Sequence, residues 1–355
     1  MKRKYTIAVL FGGCSPEYDV SLHSAYSVLT ALDRERFDPI PLGITREGEW
    51  FRFCGRYEAV ADGTWCADAA DLLSVVVSQS RALHGFYQRV PTVAGERWEP
   101  VALDAAFPVL HGRNGEDGTV QGLLELAGIP TVGCGVLASA LCMDKARSHA
   151  LARAAGIDVP RSVTGTKEDD LPRLTKEIEA IGFPLFVKPL RAGSSFGISK
   201  VTDASGLEDA VALALEYDDV FVLEENIEGF EVGCAVLGSS ELTTGRADEI
   251  ELAEGFFDYT EKYTLKTSRI HVPARISPED EARVRETAGR IYRALGCSGF
   301  ARVDMFFTPD RRIVFNEVNT IPGFTEHSRF PSMLRAVGIP FEQVIEKAIA
   351  LAVEK

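Results

Sequence analysis

The sequence predicts a mixed α/β fold that opens on a parallel sheet, and three stretches predict it. Residues 5–11 form an apolar run ending at Gly12-Gly13, followed by a helical pattern from about Ser21 and a second apolar stretch at 38–44. That is a β-α-β start, and the ligand sites of such sheets lie at the carboxyl ends of their strands. Phe183–Pro189 reads as a strand entering the Gly-rich loop Arg191–Gly197. Near the end, Gly299–Phe307 and Ile313–Asn319 read as two strands joined by the turn Thr308–Arg312.

Between these landmarks the elements follow from local chemistry. Residues 45–100 carry Trp50, Trp65 and Trp98 among polar turns and read as an elaborated insertion. A helix from about Met143 to Ala155 stops at Gly156, which can adopt the left-handed conformation of a C-terminal cap. A helix at 204–217 and the strand Val220–Glu225 follow. Ser277 caps the next helix, with Pro278 at its first position and Asp280 at its third, and Val284, Ala288, Ile291 and Leu295 line one face before Gly296. The last helix presents Phe341, Val344, Ile345, Ala348, Ile349 and Ala352 on one side. The natural cuts give units of 1–133, 134–224 and 225–355.

Composition narrows the function. Of 355 residues, 46% are hydrophobic and 25% charged, the balance of a soluble globular protein. The net charge of −14 repels phosphate backbones and anionic lipids, so neither nucleic acid nor membrane is expected as a partner. No apolar run reaches the ~18 residues of a membrane span. The N-terminal apolar stretch is short and lacks a small-residue cleavage site, so it reads as a strand in a cytoplasmic protein. Seven scattered cysteines without a Cys-x-x-Cys pair suggest free thiols, neither a zinc site nor a disulfide framework.

The chemistry concentrates in the hairpin. Residues two apart on a strand share a face, so Arg302 and Asp304 point together, as do Glu317 and Asn319. A turn centred on 309–311 makes opposing residue numbers sum to about 620, which sets Asp304 against 316–317. Two acids, an amide oxygen and a guanidinium then converge, a hard-oxygen set suited to Mg²⁺. Glu317 and Asn319 run straight into Thr320–Thr325, a tight loop whose backbone N–H groups can face a ligand. Gly193-Ser194-Ser195 is a hydroxyl-rich loop able to wrap phosphate oxygens, with Lys188 before it and Lys145 opening a helix of the same unit. Gly133, Gly135 and Ala138 have the spacing of a dinucleotide fingerprint, but no β-α-β unit with a ribose-binding acid accompanies them.

Together these segments resemble the D-alanine–D-alanine ligases of the ATP-grasp superfamily and their relatives from vancomycin-resistance operons. The matching segments are Phe11–Ser21, His111–Gly122, Met143–Lys145, Lys188–Ser195, Phe257–Tyr263, Arg302–Asp304 and Asn316–Phe324, in family order. The resemblance implies three domains, an open α/β domain holding the first D-alanine and two α+β domains enclosing ATP, in a homodimer. It implies that Lys145, Lys188 and Lys262 contact ATP phosphates while Ser194 and Ser195 close over them. Glu224 and Glu225 would lie beside the adenine and Glu231 on the ribose. Asp304, Glu317 and Asn319 would bind two Mg²⁺, with Mn²⁺ as the alternative. Glu17 would take the ammonium of the first D-alanine, near His111, and Tyr263 would pair with Ser194 and Glu17 as the 255–268 loop closes. Arg302 and the N–H of Gly323 would stabilise the oxyanion, and Ser328 would hold the second substrate's carboxylate.

The second substrate is expected to be D-serine, with D-alanine next. Relatives that make the D-lactate ester lack the Glu261-Lys262-Tyr263 segment. Arg329 stands where plain D-alanine–D-alanine enzymes tend to carry leucine, and a more polar pocket suits a hydroxyl. Glu326 replaces a serine of the family pattern and is expected to face solvent. Two rivals stay open, another ATP-grasp carboxylate–amine ligase and a non-catalytic nucleotide sensor. Peptidoglycan precursor synthesis, with vancomycin resistance, is the implied role.

Overall fold

The computed structural model describes residues 3–93, 95–169, 171–193, 196–252 and 268–354. Three sheets organise them. The first has seven strands in the order β6-β5-β4-β3-β2-β1-β7, with β1 Tyr5–Gly12, β2 Phe37–Ile44, β3 Trp50–Phe53, β4 Leu72–Val77, β5 Gly85–Thr92, β6 Gly95–Ala102 and β7 Ala105–Pro108. Only β2-β1-β7 is parallel. Ile7 to Phe11 are wholly buried, as a strand covered on both faces requires. The 45–100 stretch, expected as an elaborated insertion, is part of the first sheet. It supplies β3 to β6, which extend the sheet by antiparallel pairing. Taken together, β5 and β6 are exposed along most of their length, as suits a ribbon with a solvated face.

The second sheet runs β10-β9-β11-β8, with β8 Ser162–Thr166, β9 Leu185–Pro189, β10 Ser199–Val201 and β11 Val220–Glu225. The third runs β15-β14-β12-β16-β17, with β12 Phe230–Gly238, β13 Leu242–Thr244 paired to it off the path, β14 Asp248–Leu252, β15 Ser268–His271, β16 Phe300–Phe307 and β17 Ile313–Asn319. Among the described residues no helix is long and apolar enough to cross a membrane.

Several helix boundaries move. The first helix is Tyr18–Ala31, and Ser21 is inside it, its hydroxyl accepting from Gly12 N–H at 2.9 Å. The 143–155 helix is broken at Asp144, whose extended backbone ends Val136–Met143 and whose side chain caps Lys145–Ala154 by accepting from Arg147 N–H. The 204–217 stretch is a single 3₁₀ turn followed by Leu207–Ala214. The capped helix is as expected, Pro278–Ala294, with Ser277 Oγ accepting from Asp280 N–H at 3.1 Å. Gly133 approaches Gly299 so closely that a Cβ on Gly299 would sit 2.8 Å from Gly133 Cα. The fingerprint-like glycine therefore serves a backbone contact.

The C-terminal helix Phe341–Val353 shares a core with Ala235, Leu237 and Phe300 of the third sheet and reaches beyond it. Its apolar face joins the core formed by β1, β7 and helix Tyr18–Ala31. A cluster of rings continues this weld. Phe324 lies 5.3 Å from Phe107 of β7, 5.2 Å from Phe300 of β16, 5.6 Å from Phe330 and 5.9 Å from Phe341, centroid to centroid. Phe300 is fully buried among these rings, so Phe300→Ala is expected to cost about 3–5 kcal/mol of stability, measured by urea denaturation.

Candidate active site

The hairpin geometry sets the site. Between Phe307 and Met305 the opposing numbers sum as expected, for example Met305 against Phe315. A register shift between Asp304 and Met305 then sets Asp304 opposite Glu317 and Arg302 opposite Asn319. Arg302 binds Asp304 through Nε at 2.8 Å and Nη2 at 2.6 Å, and Asn319 Nδ2 donates to Asp304 Oδ2 at 2.8 Å. Burial disfavours the Arg302 charge, yet the Asp304 carboxylate beside it keeps it firmly protonated. Arg302 Nη1 and the carbonyl oxygen of Asn319 have no partner among the described residues.

Two cavities meet at this hairpin. One, of about 370 Å³, is lined by Glu17, His111, Glu116, Lys145, Arg302, Glu317, Asn319, Gly323, Ser328 and Arg329. The other, of about 700 Å³, is lined by Lys145, Lys188, Glu224, Glu225, Glu231 and Glu317. Lys145 and Glu317 line both, with Lys145 Nζ 4.0 Å from Glu317 Oε2 and donating to Ala192 O at 3.0 Å. Asp304 is buried behind Arg302 and Asn319 and borders neither cavity.

In the larger cavity Lys188 and Glu224 form a buried ion pair across β9 and β11. Burial alone would raise the Glu224 carboxyl, but the Lys188 ammonium holds it below the usual carboxylate range. Glu225, next along the strand, faces Arg161 and is bonded to it at 2.9 Å. In the smaller cavity Glu17 stands at the start of the first helix, and the Gly-rich loop reaches it. A Cβ on Gly193 would lie 3.3 Å from Glu17 Oε2. Ser328 Oγ accepts from Thr325 N–H at 3.1 Å. Ser194, Ser195, Lys262 and Tyr263 lie outside the described residues.

Arg329 is more constrained than the sequence suggests. Its guanidinium binds Asp248 at 2.6 and 2.9 Å and Glu231 at 2.9 Å, and it lies 3.4 Å from Asp304. Gly233 makes room for this network, since a Cβ there would come within 2.5 Å of Arg329 and 2.6 Å of Asp248. Glu326 faces solvent as expected, 3.4 Å from Arg335. Asp248, Glu116 and Ser24 were not singled out from the sequence. Asp248 sits in no motif, and its partner is 81 positions away. Glu116 is within the His111–Gly122 segment, where its acid character was the available signal.

The donor types suit a hard divalent cation, with Glu317 and Asn319 on the smaller cavity and Asp304 turned to Arg302 and Asn319 in this structure. Among the described residues no three His, Cys, Asp or Glu side chains cluster as metal ligands. The hairpin instead offers two acids and an amide oxygen, the sparse protein contribution that Mg²⁺ accepts when phosphate and water complete its shell.

Glu116 adds a pH-dependent element. Burial, then the nearby Glu17 charge, pushes its carboxyl up to about 8, against backbone N–H bonds from Gly112 and Ile321. The folded state therefore binds a proton that the unfolded state releases near pH 4.5, so this group's contribution to stability falls from about pH 4.5 to 8 and is level above. Glu116→Gln removes the loss. Its Tm relative to the parent is expected to rise across pH 5–8 and plateau beyond, checked by calorimetry across that range.

Comparisons with known proteins show the family. Residues 6–134 match the family model for the D-ala D-ala ligase N-terminus and residues 151–350 that for the D-ala D-ala ligase C-terminus. The vancomycin C-type resistance protein VanC1 of Enterococcus gallinarum is 43% identical over 98% of each chain. The D-alanine–D-alanine ligase of Caldicellulosiruptor bescii is 42% identical over 99% of this chain and 96% of its own. The crystal structure of the VanG D-Ala:D-Ser ligase from Enterococcus faecalis superposes with a TM-score of 0.91, at 55% identity over 99% of this chain and 100% of that one.

Proposed function

The chain belongs to the D-alanine–D-alanine ligase family and has its ATP-grasp architecture, and from that premise we propose that it joins D-alanine to a second D-amino acid at the expense of ATP, D-serine first and D-alanine next. The observation that carries this reading is the pair Lys145 and Glu317, which lines both cavities beside a three-oxygen hairpin. A phosphoryl group passing between a nucleotide and a carboxylate has to cross where two such cavities meet.

In this reading the larger cavity takes ATP. Lys145 and Lys188 meet its phosphates, Ser194, Ser195 and Lys262 complete their cover, and Glu224, Glu225 and Glu231 border the nucleoside. Asp304, Glu317 and Asn319 are the residues for two Mg²⁺, or Mn²⁺, which when bound supply charge neutralisation between the triphosphate and an approaching carboxylate. Glu17 pairs with the ammonium of the first D-alanine and so directs its carboxylate toward Lys145 and Glu317. A carboxylate oxygen attacks the γ-phosphorus, ADP leaves, and a D-alanyl phosphate results. The unprotonated amine of the second substrate, whose carboxylate Ser328 faces, then attacks the acyl carbon, inorganic phosphate leaves, and the nitrogen gives up a proton to the departing phosphate. Arg302 Nη1 and Gly323 N–H donate to the oxyanion, an interaction whose removal typically costs about 10²–10³ in turnover. Tyr263, expected to pair with Ser194 and Glu17, would keep water from the acyl phosphate.

Two observations support D-serine over D-alanine, and one argues against D-lactate. Arg329 gives the smaller cavity a charged wall where an alanine methyl needs only apolar surface. The sequence retains Glu261-Lys262-Tyr263, which relatives making the D-lactate ester lack. The VanG structure, at 55% identity, is that of a D-Ala:D-Ser ligase. We place the activity in peptidoglycan precursor synthesis and vancomycin resistance, in keeping with the names of the resistance proteins it is similar to.

Steady-state rates with D-alanine as first substrate and D-serine, D-alanine or D-lactate as second are expected to give the highest kcat/KM for D-serine; equal or better use of D-alanine retires that assignment. Glu317→Ala is expected to keep the fold by circular dichroism and lose at least about 10²-fold in D-alanine-dependent phosphate release. Undiminished release would remove Glu317 from the metal set.

A further inference from the structure

The loop that carries Gly323 is gripped from the opposite layer of the molecule. Ser24, fully buried on helix Tyr18–Ala31, accepts from Phe324 N–H at 3.3 Å and lies 3.2 Å from His111 Nε2. His111 Nδ1 is 2.9 Å from Ile321 O. A carbonyl only accepts, so Nδ1 bears the proton and Nε2 is a bare acceptor, which obliges the Ser24 hydroxyl to donate to it. Burial, which holds the His111 ring neutral against the nearby Glu17 charge, agrees with that tautomer. The bonds form a directed circuit from Phe324 N–H to Ser24, to His111, and back to Ile321 O on the same loop. Glu116 closes the other side, with Oε1 accepting from Ile321 N–H at 3.2 Å and Oε2 from Gly112 N–H at 2.8 Å. Ile321 is thus held at both its backbone N–H and its C=O. Two residues on, Gly323 N–H has no partner among the described residues, and Gly323 lines the smaller cavity.

We propose that Ser24 is a positioning residue for acyl transfer: its hydroxyl, bonded at once to Phe324 N–H and His111 Nε2, fixes the 321–324 backbone so that Gly323 N–H is already aimed at the oxyanion when it forms. The proposal rests on the ligase reading. It assigns Ser24 no contact with substrate. A donor that must be in place beforehand loses its value if its loop can drift by an ångström. Phosphoryl transfer to the first D-alanine uses other groups, so Ser24 acts on the second half-reaction.

The test is Ser24→Ala, a smaller side chain that leaves the helix intact. Hydrogen exchange on ligand-free protein is expected to rise about tenfold or more at Phe324 N–H while the helix Phe341–Val353 is unchanged. Dipeptide turnover is expected to fall about 10–100-fold. KM for the first D-alanine and the D-alanine-dependent oxygen scrambling of labelled ATP, which reports acyl phosphate formation, are expected to stay within about threefold. Unchanged Phe324 exchange, or a parallel loss of scrambling and ligation with a lower Tm, overturns the positioning role. Absence of D-alanine-dependent scrambling in the unsubstituted enzyme instead overturns the ligase reading and the acyl-transfer role with it. Amide exchange needs no substrate and keeps the two failures apart.

Discussion

Two carboxylates directly opposite each other on adjacent strands repel, and most of the architecture around Asp304 and Glu317 answers that constraint. Arg302 takes both oxygens of Asp304, and Lys145 stands beside Glu317. Arg329 reaches Asp304 from behind and is itself held by Asp248 and Glu231. Four carboxylates thus face three cationic side chains within one network. Burying such groups is tolerable only when each is paired, and the remaining excess of negative charge suits an added cation. Gly233 follows from the same constraint, because any side chain there would split the network.

The site is also a seam. The hairpin belongs to the third sheet, Glu17, Ser24 and His111 come from the first, and Lys145 and Lys188 come from the segment around the second. The seam is held by the ring cluster of Phe107, Phe300, Phe324, Phe330 and Phe341, and by the C-terminal helix packed on the N-terminal core. A seam so apolar resists hinge motion. Phe324 belongs to both systems, its ring in the cluster and its N–H on Ser24.

Local chemistry made much of this legible. The alternation in β16 and β17 set the shared face of Arg302 and Asp304, and the turn position set the hairpin register to within one residue. The cap at Ser277 and the apolar face from Val284 to Leu295 needed only neighbouring residues. What stayed hidden depends on distance or on weak pattern. The strands β5 and β6 are together largely exposed and carry polar residues and prolines, which from sequence is hard to tell from loop. The break at Asp144 required knowing that its side chain caps the following helix. The bonds of Ser24 to Phe324 and of Arg329 to Asp248 join residues 300 and 81 positions apart, and no local periodicity marks them.

Anomalous scattering from Mn²⁺ in crystals grown with D-alanine and a non-hydrolysable ATP analogue tests the central claim most directly. Two peaks are expected within metal–oxygen bonding distance of Asp304, Glu317 and Asn319. Peaks elsewhere, or none while the nucleotide is bound, would contradict it.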